Sequence, residues 1–167
     1  NQTLYVAALK HYLKAGYTYI ELGDGDELWE NRSMKQIIEI HNDVFYLLSL
    51  FHRQNRLYLL YGNHDMVKKC TRYTVKYCNT YPHCCGNNPH LARQQLLPDI
   101  KVHQGIILQN NSLQDGKNIY LTHGHQAELL NSTFWRLARF LVRYIWKPLE
   151  HFGVLDPTSA AKNYSRQ

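Results

Sequence analysis

Three apolar runs in this chain each stop abruptly and hand over to polar side chains. Residues 17–22 (YTYIEL) run into Gly23-Asp24-Gly25-Asp26-Glu27, residues 56–61 (RLYLLY) into Gly62-Asn63-His64-Asp65, and residues 119–122 (IYLT) into His123-Gly124-His125. Runs of this length bounded by turn residues read as buried strands. Polar groups released at the carboxyl end of such strands are how an α/β enzyme presents its chemistry.

The pattern between these runs is helical. Residues 4–14 carry apolar side chains at 4, 5, 8, 9, 12 and 13, with Gly16 as a stop, so the first element is a helix. Its short link to the first run implies an earlier strand lying before residue 1. Ser33, with Gln36 three positions on, is a helix start, and the apolar period continues to about residue 53, predicting one helix of about five turns. His41 falls inside that stripe, the place of a partly buried core histidine. Residues 67–98 lose the periodicity and gain Pro82, Gly86, Asn87, Asn88 and Pro89, which reads as an insertion holding short helices near 67–77 and 91–97. Residues 101–108 and 118–122 form a predicted hairpin. From residue 132 onward the chain is again helical, with Arg136, Arg139, Arg143 and Lys147 in one basic stripe and aromatic and aliphatic residues around it. Pro148 ends or kinks this helix. The expected organisation is a single α/β domain over 1–167, with an insertion at 67–98 and a helical insertion or lid at 132–167.

Composition adds an electrostatic bias. Of 167 residues, 44% are hydrophobic, enough for a core, and the formal net charge of +6 favours an anionic partner. No run of 18 uncharged apolar residues occurs, and no signal peptide is visible, so the expected location is cytoplasmic. Cys70, Cys78, Cys84 and Cys85 match no common zinc spacing. They read as reduced thiols, with a zinc knuckle or a disulfide as the alternative.

The three loops together offer a hard carboxylate (Asp24), a carboxamide oxygen (Asn63) and an imidazole nitrogen (His123), a donor set that suits a first-row divalent ion better than calcium. His64 diverges from its neighbour Asn63 on the turn and is a candidate acid for a leaving alkoxide. Glu27 is placed to accept a hydrogen bond from it. Asp65 reads as a structural residue, capping the next helix or holding the loop.

These motifs in this order, GD-x-x-E at 23–27, GNHD at 62–65 and HGH at 123–125, resemble the calcineurin-like metallophosphoesterase superfamily. The helical run after HGH is similar to the bacterial branch of UDP-2,3-diacylglucosamine pyrophosphohydrolases. The resemblance implies a metallophosphoesterase-like β-sandwich core flanked by helices. It also implies two divalent metal ions, manganese first with iron, zinc or nickel as alternatives. Asp24 would bridge the two, Asn63 and His123 would bind the second, His64 would be the general acid and Glu27 its partner. The implied reaction is hydrolysis of a phosphate ester or pyrophosphate by a two-metal-activated hydroxide. His125 matches no ligand position and is a candidate to contact substrate or to stabilise the turn; Arg139 and Arg143 are further candidate substrate contacts.

The family's opening D-x-H and closing G-H-x-H motifs are not in the chain. The expectation is therefore a domain truncated at both ends, retaining part of one metal sphere and little activity alone. The expected partner is a phosphorylated small molecule or a lipid-linked substrate, with peripheral membrane contact through the basic helix. An inactive phosphoesterase-like binding protein is the first alternative. A nucleic-acid-binding module ranks below it, because stacking aromatics on a strand platform are not evident.

Overall fold

The computed structural model describes residues 2–31, 33–81, 95–109, 118–127, 133–146 and 148. Helix α1 (Gln2–Lys14) leads into strand β1 (Tyr19–Glu21). Two helices, α2 (Met34–Ile40) and α3 (Asn42–Arg53), then return the chain to β2 (Leu57–Leu60). A 3-10 turn (Met66–Lys69) and α4 (Thr71–Cys78) follow. Beyond them come β3 (Val102–His103), β4 (Gly105–Gln109) and β5 (Asn118–Thr122). A second 3-10 turn (His125–Ala127) precedes α5 (Trp135–Leu141), which runs on as a π-helical turn (Val142–Trp146).

Strands β1, β2 and β3 form a parallel sheet in that order, with Glu21 opposite Leu59 and Leu60 opposite His103. Parallel pairing needs a crossover, and α2 with α3 supplies it between β1 and β2. Both strands therefore end at the same edge, and the Gly23 and Gly62 turns lie side by side. β4 and β5 pair antiparallel, Gly105 opposite Thr122 and Gln109 opposite Asn118. The molecule is thus of mixed α/β class, with two small sheets among the described residues.

The predicted helix from Ser33 is present but broken. Ser33 Oγ accepts the Gln36 amide at 3.3 Å, as a cap should. His41 interrupts the helix, with φ −110° and ψ 35°, and its half-buried ring meets Gln2 Oε1 at 3.3 Å. The predicted single strand at 101–108 is likewise two. Residues 102–103 join the parallel sheet, while 105–109 leave it for the hairpin. One segment therefore ties the two sheets together.

The core is built from α3 against the sheet: Phe45, Leu48 and Phe51 meet Leu57 and Leu59, with Leu9 of α1 and Ile38 of α2 closing the sides. The segment read as an insertion contributes to this core through Cys78, Tyr81, Leu96, Leu97 and Ile100. Its predicted second helix falls largely outside the described residues, and Gln95 makes a bridge to Thr80. Cys70 is exposed and Cys78 buried, both as free thiols; burial first pushes the Cys78 thiol up, to about 11. Cys84 and Cys85, Lys147, and the rest of the 132–167 segment beyond Trp146 except Pro148 lie outside the described residues. Among the described residues no helix is long and apolar enough to cross a membrane.

Phe51 is 1% exposed at the centre of this packing. Phe51→Ala is expected to cost about 3–5 kcal/mol of stability, measured by urea unfolding; a loss below about 1 kcal/mol would place the core elsewhere.

Candidate active site

The turn after β1 and the turn after β2 touch. A Cβ on Gly23, at φ 100°, would come within 2.7 Å of the Gly62 amide nitrogen, and a Cβ on Gly62 would strike the Asp24 carboxylate. Both glycines are required by that close approach. Asp24 and Glu27 adopt left-handed backbone at φ 60° and 43°, a conformation that costs a non-glycine residue on the order of 1–3 kcal/mol.

That backbone aims Asp24 at the other two loops. Its Oδ2 lies 3.0 Å from His123 Nε2, and the same nitrogen lies 3.1 Å from Asn63 Oδ1. His123 Nδ1 is 2.9 Å from the Leu22 carbonyl and donates to it. In the neutral ring, Nε2 is then a lone pair facing two oxygens. Three acceptors converging on one point fit a cation between them. The 3.0 and 3.1 Å separations also fit adjacent corners of an octahedron with bonds of about 2.1 Å. A carboxylate, a carboxamide oxygen and an imidazole are together a donor set for a divalent first-row ion. The second oxygen of Asp24, Oδ1, accepts the His64 backbone N–H at 2.9 Å. Among the described residues no three His, Cys, Asp or Glu side chains gather as a ligand set; the convergence has two of them, and Asn63 is its third member.

His64 points away from that convergence. Its Nδ1 donates to Glu27 Oε1 in a short contact. Its ring stacks on Trp29, with centroids 4.2 Å apart and planes within 8°. The carboxylate and the indole fix both tautomer and ring plane, which leaves Nε2 to hold or release a proton.

Behind the two turns is a charge cluster that the sequence reading did not assemble. Lys68 is buried on the 3-10 turn after GNHD and ion-pairs with Asp26, with Asp65 Oδ2 at 3.0 Å and with Glu21 Oε1 at 3.8 Å. Asp65 Oδ1 accepts the Gly62 amide at 2.6 Å. Asp65 therefore holds the loop, as expected of it, but through Gly62 and Lys68 and without a side-chain cap on the following turn. Burial works against the Lys68 ammonium, and Asp26, Glu21 and Asp65 outweigh it, holding its pKa well above the ordinary value. Glu21 is the third carboxylate around one cation. Burial raises its pKa to about 7; Lys68 opposes the rise, and the charges of Asp26, Asp65 and Asp24 add to it. The signal was present in the sequence as a lone acid at the end of an apolar strand and a lysine three residues past Asp65, but nothing in their spacing joins them.

The remaining candidates are placed differently. His125 is buried between Tyr61 and His123, with ring centroids 5.8 and 5.5 Å away. Burial first, then the His123 charge, lowers its pKa, which favours the neutral ring. Arg143 donates to the carbonyls of Leu28 at 2.6 Å, Trp29 at 2.9 Å and Asn31 at 3.4 Å. It fastens the π-helical turn after α5 to the loop that carries Glu27 and Trp29. Arg139 is half-buried, and burial followed by the neighbouring Arg143 lowers its pKa.

No protein-family model, curated protein or solved structure matches this chain.

Two outcomes are expected of the buried cluster. Lys68→Met leaves three carboxylates without their cation and should cost about 3–5 kcal/mol, with Lys68→Arg recovering part of it in urea unfolding. The second concerns pH. The folded-state pKa of Glu21, about 7, lies above its ordinary 4.5, so the folded chain holds a proton that the unfolded chain releases. This stabilisation is full below about 4.5 and is lost as pH rises to about 7. Glu21→Gln should remove that slope, changing the wild-type-minus-variant stability difference by on the order of 2–3 kcal/mol between pH 4.5 and 7.5. Parallel curves for the two proteins would contradict it.

Proposed function

We propose that this chain carries the catalytic centre of a metal-dependent phosphoesterase, hydrolysing a phosphate ester or pyrophosphate bond, on a β-sandwich core of the calcineurin-like metallophosphoesterase kind. One observation carries the reading: Asp24, Asn63 and His123, from three separate strand ends, converge on one point while the His64–Glu27 pair stands beside it. The same three motifs carry the sequence resemblance.

Asp24, Asn63 and His123 would hold the metal, manganese being the first expectation. A divalent cation there supplies Lewis-acid stabilisation of phosphoryl oxygens and lowers the pKa of water. The protein's own groups do the rest. His123 is kept in the binding tautomer by the Leu22 carbonyl. Glu27 accepts from His64 Nδ1 and orients the ring, so that a proton on Nε2 would pass to the departing oxygen. Trp29 covers one face of that ring and limits water on it. His64 stands next to Asn63 in the chain, so acid and ligand keep a fixed relation. The proposed substrate is a phosphorylated small molecule or a lipid-linked phosphate.

In the full-length protein, manganese-dependent hydrolysis of p-nitrophenyl phosphate or its diester is expected, abolished by a chelator. His64→Ala should lower turnover about 10²–10⁴-fold with manganese binding retained in a direct titration. Asp24→Ala should lose both binding and turnover. Equal loss of manganese binding in the two variants would overturn the assignment of acid and ligand.

A further inference from the structure

A cavity of about 420 Å³ opens where α1, α2 and α3 meet the end of β1, within the roughly 300–1,000 Å³ of small-ligand sites. Glu21 and Asp26 line it, with side chains only 15% and 10% exposed. Among the described residues Lys68 is the sole cation paired with either acid, and no other donor reaches them. Its ammonium has three protons and is shared with Asp65 as well. An ionised carboxylate accepts about four hydrogen bonds, so the two acids keep acceptor capacity that Lys68 does not fill. Lys68 is not part of this wall; it lies beneath, with Cys78, Leu97 and Ile100. Three carboxylates thus face one buried ammonium, and two of them present their excess negative charge to a hollow that no described lysine or arginine lines.

The rest of the wall decides which kind of cation fits. Ile37, Val44, Phe45 and Leu48 make one side apolar. The polar groups elsewhere are already engaged: the Tyr5 and Tyr19 hydroxyls bond each other at 2.6 Å, and the His41 ring meets Gln2 Oε1 at 3.3 Å. A bare magnesium or calcium ion takes about six or more oxygen ligands, and an apolar side offers it none. An organic ammonium instead sets its N–H donors on the carboxylate oxygens and its hydrocarbon on the apolar side, with aromatic rings close by to favour its charge. A quaternary ammonium would have no N–H to give the two acids.

We propose that this cavity binds a small primary amine with an apolar body, its ammonium on Glu21 and Asp26 and its body against Ile37, Val44, Phe45 and Leu48. None of Asp24, Asn63, His64 or His123 lines the cavity. The amine site is therefore distinct from the metal-ligand convergence, although Asp26 belongs to the same turn as Asp24.

Calorimetric titration of the full chain with phenethylamine, in EDTA and at about pH 8 so that Glu21 is ionised, reads the site directly. Saturable binding of one amine per chain is expected. Phenethyl alcohol keeps the body without the charge, and methylamine keeps the charge without the body; each should bind about tenfold more weakly or worse. Glu21→Gln should weaken the amine about tenfold with an unchanged circular dichroism spectrum. Ile37→Trp, which fills the apolar side, should weaken it while leaving the Lys68 cluster intact. The inference is overturned by absence of saturable binding, by equal affinity for phenethyl alcohol, or by equal affinity of the Glu21→Gln protein. Displacement of the amine by one magnesium ion per chain, in buffer without EDTA, would make the place a metal site and overturns it as well. Manganese-dependent turnover is read separately, from the Asp24 and His64 variants.

Discussion

An ammonium group enclosed by three carboxylates is the constraint on which this structure turns. Lys68 has lost its water, and each acid near it comes from a different place: Glu21 from the end of β1, Asp26 from the turn beyond it, and Asp65 from the turn after β2. Removing the ammonium from such a cluster strands its carboxylates in a medium that solvates them poorly. The two turns are therefore held together by mutual need. The 2.6 Å bond from the Gly62 amide to Asp65 carries that constraint into the backbone at which GNHD begins.

Two consequences reach the site. The left-handed backbone at Asp24 and Glu27 is unfavourable for residues with side chains, and it persists because the surrounding contacts leave no alternative. The glycines at 23 and 62 let the turns meet without an intervening side chain. Asp24, Asn63, His123 and the His64–Glu27 pair are thereby held in place by the fold itself, the condition under which electrostatic stabilisation would be effective. Arg143 extends the arrangement outward by fixing the C-terminal helical segment to the carbonyls of Leu28, Trp29 and Asn31. The basic stripe is accordingly not one uniform surface. Arg143 is committed to the backbone, Arg139 is half-buried, and Arg136 lines a hollow with Arg72 and Lys76 of α4.

Much of this was readable from residue order. The strand ends and the cap at Ser33 follow from local pattern, because each is decided by neighbours in the chain. The break at His41 was not readable, since the apolar period runs through it unchanged. Residues 102–103 and 105–109 also read as one strand. Their division depends on β2 offering an edge to the first pair while β5 offers one to the second. The segment from 67 to 98 reads as an insertion because it is polar on average; the few apolar side chains it carries, Cys78, Leu96 and Leu97 among them, are nonetheless in the core.

By itself the sequence determined that the polar candidates follow strands, because turn residues and apolar periodicity act over a few positions. Tertiary structure decided which of those residues meet. Asp24, Asn63 and His123 lie far apart in the chain, and the first two come within 3.1 Å of His123 only because parallel pairing brings the first two strand ends to one edge and the hairpin folds back to the third. The Lys68 cluster and the cavity that opens on its acids belong to the same category. Burial and long-range proximity create them, and neither quantity is encoded in spacing.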